Sequence, residues 1–341
     1  MKLTFDQIRA ITVGAVDFEE TKEFLQPYRF TKAQREFTRH QDRYYHRGMA
    51  TAGICFCFAT DSKSLSLEVE CLNTQVRDYF SFEVFANGEL IGYLDNFPKE
   101  GMPPQFYHEV KLGKPEGVFS RTFDLGTGEK TVRVNFPWSK LVKIRSVELD
   151  DGAKLMPVKR NKKLLAFGDS ITHGMDAYHS SQRYIAQLAD FLNADEYNKA
   201  IAGETYCPGL AACRDDFTPD YITVAYGTND WTLKNREALV ENSHQFYENL
   251  QKNYPGVPVF VITPIWRADL DIERPFGAFE DVEAIIRKNA ADFPQIQVIR
   301  GYDLVPHDAK YFVEAKLHPT TEGFTHYAKN LCDKIGALLN K

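Results

Sequence analysis

The sequence predicts two domains of different class. An all-β sandwich of jelly-roll type is expected over residues 1–155, and a three-layer α/β/α domain with a parallel sheet over residues 160–341. Three observations predict this. The chain, at 341 residues, is longer than one hydrophobic core usually supports. Past a less regular opening segment, short alternating or apolar runs follow one another up to Asp150 with no helical stretch between them. Beyond Asp150, short apolar runs alternate with segments of helical period.

In the first half, strands are expected at Ile54 to Ala59, Ser64 to Cys71 and Tyr79 to Ala86. Ser64-Leu65-Ser66-Leu67-Glu68-Val69-Glu70 alternates strictly, as a strand with one wet and one buried face must. Asn87-Gly88 is a hairpin signal, because both residues tolerate the left-handed backbone of a tight turn, and Leu90 to Leu94 follows it. Further strands are expected at Tyr107 to Leu112, Phe119 to Leu125, Thr131 to Phe136 and Leu141 to Leu149.

Asp151-Gly152 and the basic run Lys159-Arg160-Asn161-Lys162-Lys163 mark the boundary, the run reading as a solvated linker. Strands are then expected at Leu164 to Gly168, Tyr197 to Ala202, Tyr221 to Tyr226, Val257 to Thr263 and Ile296 to Arg300. Helices are expected at Arg183 to Leu192, Glu237 to Asn253, Phe279 to Asp292 and Phe324 to Leu339. Strand-helix-strand repetition implies a parallel sheet covered on both faces.

The composition, 43% hydrophobic and 26% charged, is that of an ordinary globular protein, and a net charge of -6 argues against nucleic acid as partner. Nowhere do about 18 apolar residues run together, so no membrane span is expected. Asp6 and Arg9 interrupt the stretch where a secretion signal would hold its apolar core, and a cytoplasmic location is the expectation. The cysteines, at 55, 57, 71, 207, 213 and 332, are then expected as reduced thiols. Cys55-Phe56-Cys57 is too closely spaced and too isolated for a zinc site.

Parallel sheets gather their reactive groups at the carboxyl ends of the strands. The first strand of the second half runs into Gly168-Asp169-Ser170, the second into Ala202-Gly203 and the third into Gly227-Thr228-Asn229-Asp230. Leu317-His318-Pro319 precedes the last helix. Each has an ordinary explanation, a helix-capping serine or a turn glycine among them. In this order, at these strand ends, they share a chemical one.

These blocks, Gly168-Asp169-Ser170-Ile171-Thr172, Gly203, Gly227-Thr228-Asn229-Asp230 and His318-Pro319, resemble the SGNH (GDSL-type) hydrolase superfamily over roughly residues 163–341. The resemblance implies a flavodoxin-like sheet with Ser170 as nucleophile and His318 as its base. It also implies an oxyanion hole made of the Ser170 and Gly203 backbone N–H groups and the Asn229 amide. The chemistry explains the residue types: a serine hydroxyl needs a base to attack an ester, and an imidazole with an ordinary pKa of about 6.5 suits that task. The oxyanion then formed needs preorganised donors. No metal or organic cofactor is implied.

One position departs from the family. The aspartate usually found three residues before the histidine is replaced by Ala315, and Glu314 stands one place too early. Either Glu314 reaches the imidazole from an altered loop, or Ser170 and His318 act as a dyad with a backbone carbonyl on the second ring nitrogen. The dyad is favoured, since some two-domain carbohydrate acetylesterases resemble that arrangement. Asp169 reads as a structural hydrogen-bonding residue, and His173 and His179 as polar loop residues. Trp231 and Trp266 are candidates to pack on a sugar ring or acyl chain, or simply on their neighbours.

A β-sandwich followed by an SGNH domain resembles carbohydrate esterases, which implies O-deacetylation of a sugar or oligosaccharide, with neither nucleic acid nor membrane as partner. Two other readings stay open: a short-chain esterase or thioesterase on non-sugar substrates, and a sugar-binding protein with a weakened active site.

Overall fold

The computed structural model describes residues 1–103, 105 and 107–340; the final residue of the expected second domain lies outside them. Two antiparallel sheets face each other in the N-terminal domain. One carries Thr12–Val13, Cys55–Thr60, Lys130–Asn135, Ser81–Ala86 and Glu89–Asp95 in that order, with Met156–Pro157 also paired to Cys55–Thr60. The other orders Asp17–Glu20, Leu25–Tyr28, Lys140–Leu149, Ser64–Asn73 and Gly117–Asp124. Alternation decides the faces: Leu65, Leu67, Val69 and Cys71 all point into one core with Val132, Val134, Val142 and Ile144.

One N-terminal expectation is corrected. The segment expected as a strand from Tyr107 begins instead with a 3₁₀ turn, Tyr107–Glu109. The opening segment contains three seven-residue helices, Phe5–Ile11, Lys32–Thr38 and Asp42–Gly48. The first two start in capping boxes, Thr4 with Gln7 and Thr31 with Gln34, which satisfy N–H groups that a helix start leaves open.

The C-terminal domain holds five parallel strands: β1 (Lys162–Gly168), β2 (Ala194–Asn198), β3 (Tyr221–Ala225), β4 (Val259–Ile262) and β5 (Ile296–Ile299). Their order is β2-β1-β3-β4-β5, the doubly wound arrangement with its switch point between β1 and β3. Successive β1 side chains serve opposite faces. Leu164 and Ala166 pack under the helices Tyr184–Phe191 and Thr321–Leu339, while Leu165 and Phe167 pack under Arg236–Asn253 and Glu280–Ala290.

β2 lies earlier than expected, because it takes two acidic residues into the sheet. Glu196 is buried and met by both Arg183 guanidinium nitrogens at 2.6 and 2.9 Å. The residues after it still follow β1, through Lys199 N–H to Ala166 O at 2.7 Å and Ile201 N–H to Gly168 O at 3.0 Å. That extension carries Gly203 to the end of β1.

The domains are fastened together by buried polar contacts. Arg29, only 1% exposed, donates to Ala50 O, Asn198 O and Ala200 O. Phe30 and Tyr44 join the C-terminal core, and Trp138 and Tyr79 form a smaller cluster with Ala202. The opening helices therefore bring residues of the first domain to the carboxyl end of the parallel sheet.

Candidate active site

β1 ends at Gly168, where a side chain has no room: a Cβ would stand 2.2 Å from Thr172 Oγ1. Asp169 caps the next turn, its Oδ1 accepting from the Ile171 N–H at 2.9 Å. Ser170 opens that four-residue helix and is 4% exposed. The Ser170 Oγ and the His318 Nε2 are 2.9 Å apart. His318 is held in its loop by an isolated bridge between Phe312 and Pro319 and by the Val313 N–H, which donates to the His318 carbonyl at 2.8 Å.

The other ring nitrogen, Nδ1, stands 3.0 Å from Asp176 Oδ2. Both expected arrangements are thereby corrected. Glu314 turns away, with a backbone φ of 53°, and places its carboxylate 3.2 Å from His108 Nδ1. No backbone carbonyl is needed on the imidazole, since Asp176 occupies that position.

Asp176 comes from the nucleophile's own loop. The short helix ends at Gly174 in the left-handed region (φ 110°), and Asp176 follows with φ 74°, so the chain doubles back beneath the imidazole. Its carboxylate is buried, and Arg77 of the N-terminal domain grips it with Nε at 2.7 Å and Nη2 at 3.0 Å. The Tyr79 hydroxyl donates to it at 3.3 Å. Burial pushes this carboxyl up, but His318 and Arg77 outweigh it and hold it well below the usual carboxylate range. Asp176 is therefore an anion wherever the fold is intact near neutral pH.

The remaining predicted donors surround the same strand ends. Gly203 has φ 86°, and its N–H, like that of Ser170, makes no hydrogen bond among the described residues. Asn229 sits in the first turn of the helix Thr228–Leu233 and donates one amide hydrogen to Glu204 O at 2.9 Å, bracing the loop that carries Gly203. Below them lie three buried carboxyls, Asp169, Glu204 and Asp230, each pushed up to about 7, chiefly by burial.

The two tryptophans are not brought to Ser170. Trp231 is 2% exposed, donates its indole N–H to Gly277 O at 2.9 Å, and is flanked by the Arg267 and Arg274 guanidinium groups. A ring so enclosed cannot stack on a substrate. Trp266 lies parallel to the His307 ring at 5.5 Å and against Phe312. His173 is fully buried, bonded to Trp138 O at 2.9 Å and accepting from the Ala202 N–H at 3.3 Å; burial pushes it well below the ordinary histidine range. His179 contacts Ser81 and stacks on Tyr93, inside the domain junction.

A cavity of about 260 Å³ opens beside Asp176 and His318, lined also by Arg77, Arg267 and Leu317. A larger one, about 600 Å³, lies between Cys57, Arg133, Lys159 and Asp190 and touches none of the predicted site residues. Among the described residues no cluster of three or more His, Cys, Asp or Glu side chains could hold a metal ion. Nor is any helix among them long and apolar enough to cross a membrane. A hydroxyl on an imidazole, itself on a buried carboxylate and beside free backbone N–H groups, is a constellation able to transfer acyl groups.

Residues 166–325 match the model of the GDSL-like Lipase/Acylhydrolase family. No curated protein matches the sequence. Among solved structures, the salicylyl-acyltransferase SsfX3 from a tetracycline biosynthetic pathway superposes with a TM-score of 0.77 at 18% identity, covering 96% of this chain and 94% of that one. A family two carbohydrate esterase from Clostridium thermocellum, solved with cellohexaose, gives 0.68 at 14% identity over 96% and 99%. An acetyl xylan esterase from the rumen bacterium Butyrivibrio proteoclasticus gives 0.59 at 18% over 84% and 90%. The likeness extends through both domains, so the pairing of an antiparallel sandwich with an SGNH fold is shared by all three.

Proposed function

We propose that this ester hydrolase, whose C-terminal half is a GDSL-like acylhydrolase domain, removes acetyl or other short acyl groups from a sugar or oligosaccharide through a covalent intermediate on Ser170. The single observation that carries the mechanism is the alignment of Ser170 Oγ, His318 and Asp176 at 2.9 and 3.0 Å. His318 takes the hydroxyl proton as Ser170 attacks the ester carbonyl, and Asp176 stabilises the imidazolium. The N–H groups of Ser170 and Gly203 and the second amide hydrogen of Asn229 receive the oxyanion. The imidazolium then gives its proton to the departing sugar oxygen. Water, deprotonated by the same imidazole, releases the acid and restores Ser170.

The likeness to a family two carbohydrate esterase and an acetyl xylan esterase, sandwich included, supports an acylated sugar as substrate. Acetate release from acetylated xylose oligomers, set against hydrolysis of aryl esters of increasing chain length, tests this. Rates that peak on long chains with no sugar deacetylation sink the sugar reading. A second reading, transfer of the acyl group to an alcohol, is favoured by the likeness to the salicylyl-acyltransferase. An acyl-enzyme that partitions to an added alcohol faster than to water would select it.

A further inference from the structure

Two arginines of the N-terminal domain each hold one half of this machinery. Arg77, which follows the strand Ser64–Asn73, carries the bidentate contact to Asp176. Arg47, on the helix Asp42–Gly48, donates from Nη1 to Ala202 O at 2.7 Å and from Nε to Gln75 O at 3.2 Å. The Ala202 carbonyl and the Gly203 N–H belong to one trans peptide unit, so they point in opposite directions. A guanidinium that fixes the carbonyl therefore fixes the aim of the N–H, and by polarising the unit it strengthens that N–H as a donor. The contact is intimate: a Cβ on Gly203 would stand 2.8 Å from Arg47 Nη1.

Arg47 forms no ion pair with a carboxylate among the described residues, and the charges of Arg43 and Arg77 oppose its own. Burial, with those like charges, pushes its guanidinium down from its ordinary range. Beyond the two carbonyls it already holds, such a cation stabilises negative charge that forms nearby. An oxyanion on the Gly203 N–H is such a charge.

We propose that Arg47 and Arg77 are positioning residues for the reaction, Arg47 aiming the Gly203 N–H at the oxyanion and Arg77 locking Asp176 against His318. On this reading the sandwich is part of the catalytic apparatus. The inference rests on the Ser170 mechanism proposed above. The charged groups facing His318 are Asp176 and Arg77, with Arg267, Asp269, Glu314 and Lys316 lining the same cavity.

The test uses the full chain, with Arg47→Gln, Arg47→Lys, Arg77→Gln and Arg77→Lys, each checked for folding by circular dichroism and Tm. Hydrolysis of an aryl acetate is followed across pH. Arg77→Gln is expected to lower kcat by about 10- to 100-fold, the size of loss that follows when the outer partner of a metal-bound ligand is removed. It also moves the acidic limb of kcat/KM to higher pH, because Asp176 without Arg77 holds a proton on the imidazole more tightly. Arg77→Lys keeps the charge and leaves that limb in place. Arg47→Gln is expected to lower kcat about tenfold with KM within about twofold and the limb unmoved, and Arg47→Lys to recover part of the loss. Ser170-dependent hydrolysis with kcat and the acidic limb unchanged in both Gln variants overturns the proposal. So does a loss that merely tracks the folded fraction. Hydrolysis that survives Ser170→Ala overturns the serine mechanism, and this inference with it.

Discussion

Asp176 Oδ2 lies 3.0 Å from His318 Nδ1, and the two residues reach each other from opposite ends of the C-terminal domain. The carboxylate fixes which ring nitrogen carries the proton, leaving Nε2 free to accept from Ser170. In the proposed mechanism it also gives the imidazolium formed during attack a buried counter-charge.

Asp176→Asn is therefore expected to lower kcat by on the order of 10³- to 10⁴-fold, since an amide can hold the ring in the wrong tautomer. Glu314→Ala, removing a half-exposed carboxylate that pairs with His108, is expected to leave kcat within about twofold. Steady-state kinetics on the two variants checks both; the reverse ranking would restore Glu314 as the orienting acid.

Trp231→Ala is expected to act on stability, costing about 3–5 kcal/mol as a large buried ring is lost and Arg267 and Arg274 lose the aromatic face between them. Chemical denaturation measures the loss. KM of the protein that remains folded should stay at the wild-type value, whereas a substrate-stacking ring would raise it.

Asp230 gives stability a pH dependence opposite to that of Asp176. Its carboxyl is raised from 3.8 to about 7 by burial and by the nearby Glu204, so the folded state binds its proton more tightly than the unfolded chain does. Its contribution is complete below about pH 4 and is lost as pH rises through about 7. The lowered Asp176 contributes above its unfolded value and loses that contribution only in acid. Asp230→Asn is expected to flatten the fall in unfolding free energy between pH 4 and pH 8 by on the order of a few kcal/mol. Urea titrations at a series of pH values measure this, and an unchanged slope would contradict it.

The architecture was legible because its periods are strong. Ser64 to Glu70 alternates strictly, and the helices Arg236–Asn253 and Thr321–Leu339 each bury one face at helical spacing. What escaped was decided by partners distant in sequence. The acidic start of β2 looks polar until Arg183 is seen on Glu196. Lys32–Thr38 and Asp42–Gly48 are too short to show a period, although Thr31 and Gln34 carried the capping signal for the first of them.

In the site, Ser170 and His318 were found from strand-end blocks, and the structure sets them side by side. Asp176 is not legible from the residues before His318, where the family resemblance places the acid. Its signal lay after Ser170, where a glycine permissive of left-handed backbone, Gly174, is followed two residues on by an aspartate. Arg77 and Arg47 had no local signal, since both act across the domain junction.

Attack by Ser170 on the substrate is the step on which the proposed mechanism turns. Its most direct test is mass spectrometry of the intact protein, with peptide mapping, after treatment with an aryl fluorophosphonate. One adduct per chain is expected, on Ser170, with ester hydrolysis lost in step and no adduct in Ser170→Ala. Labelling at another residue with hydrolysis abolished, or undiminished hydrolysis by Ser170→Ala, would contradict it.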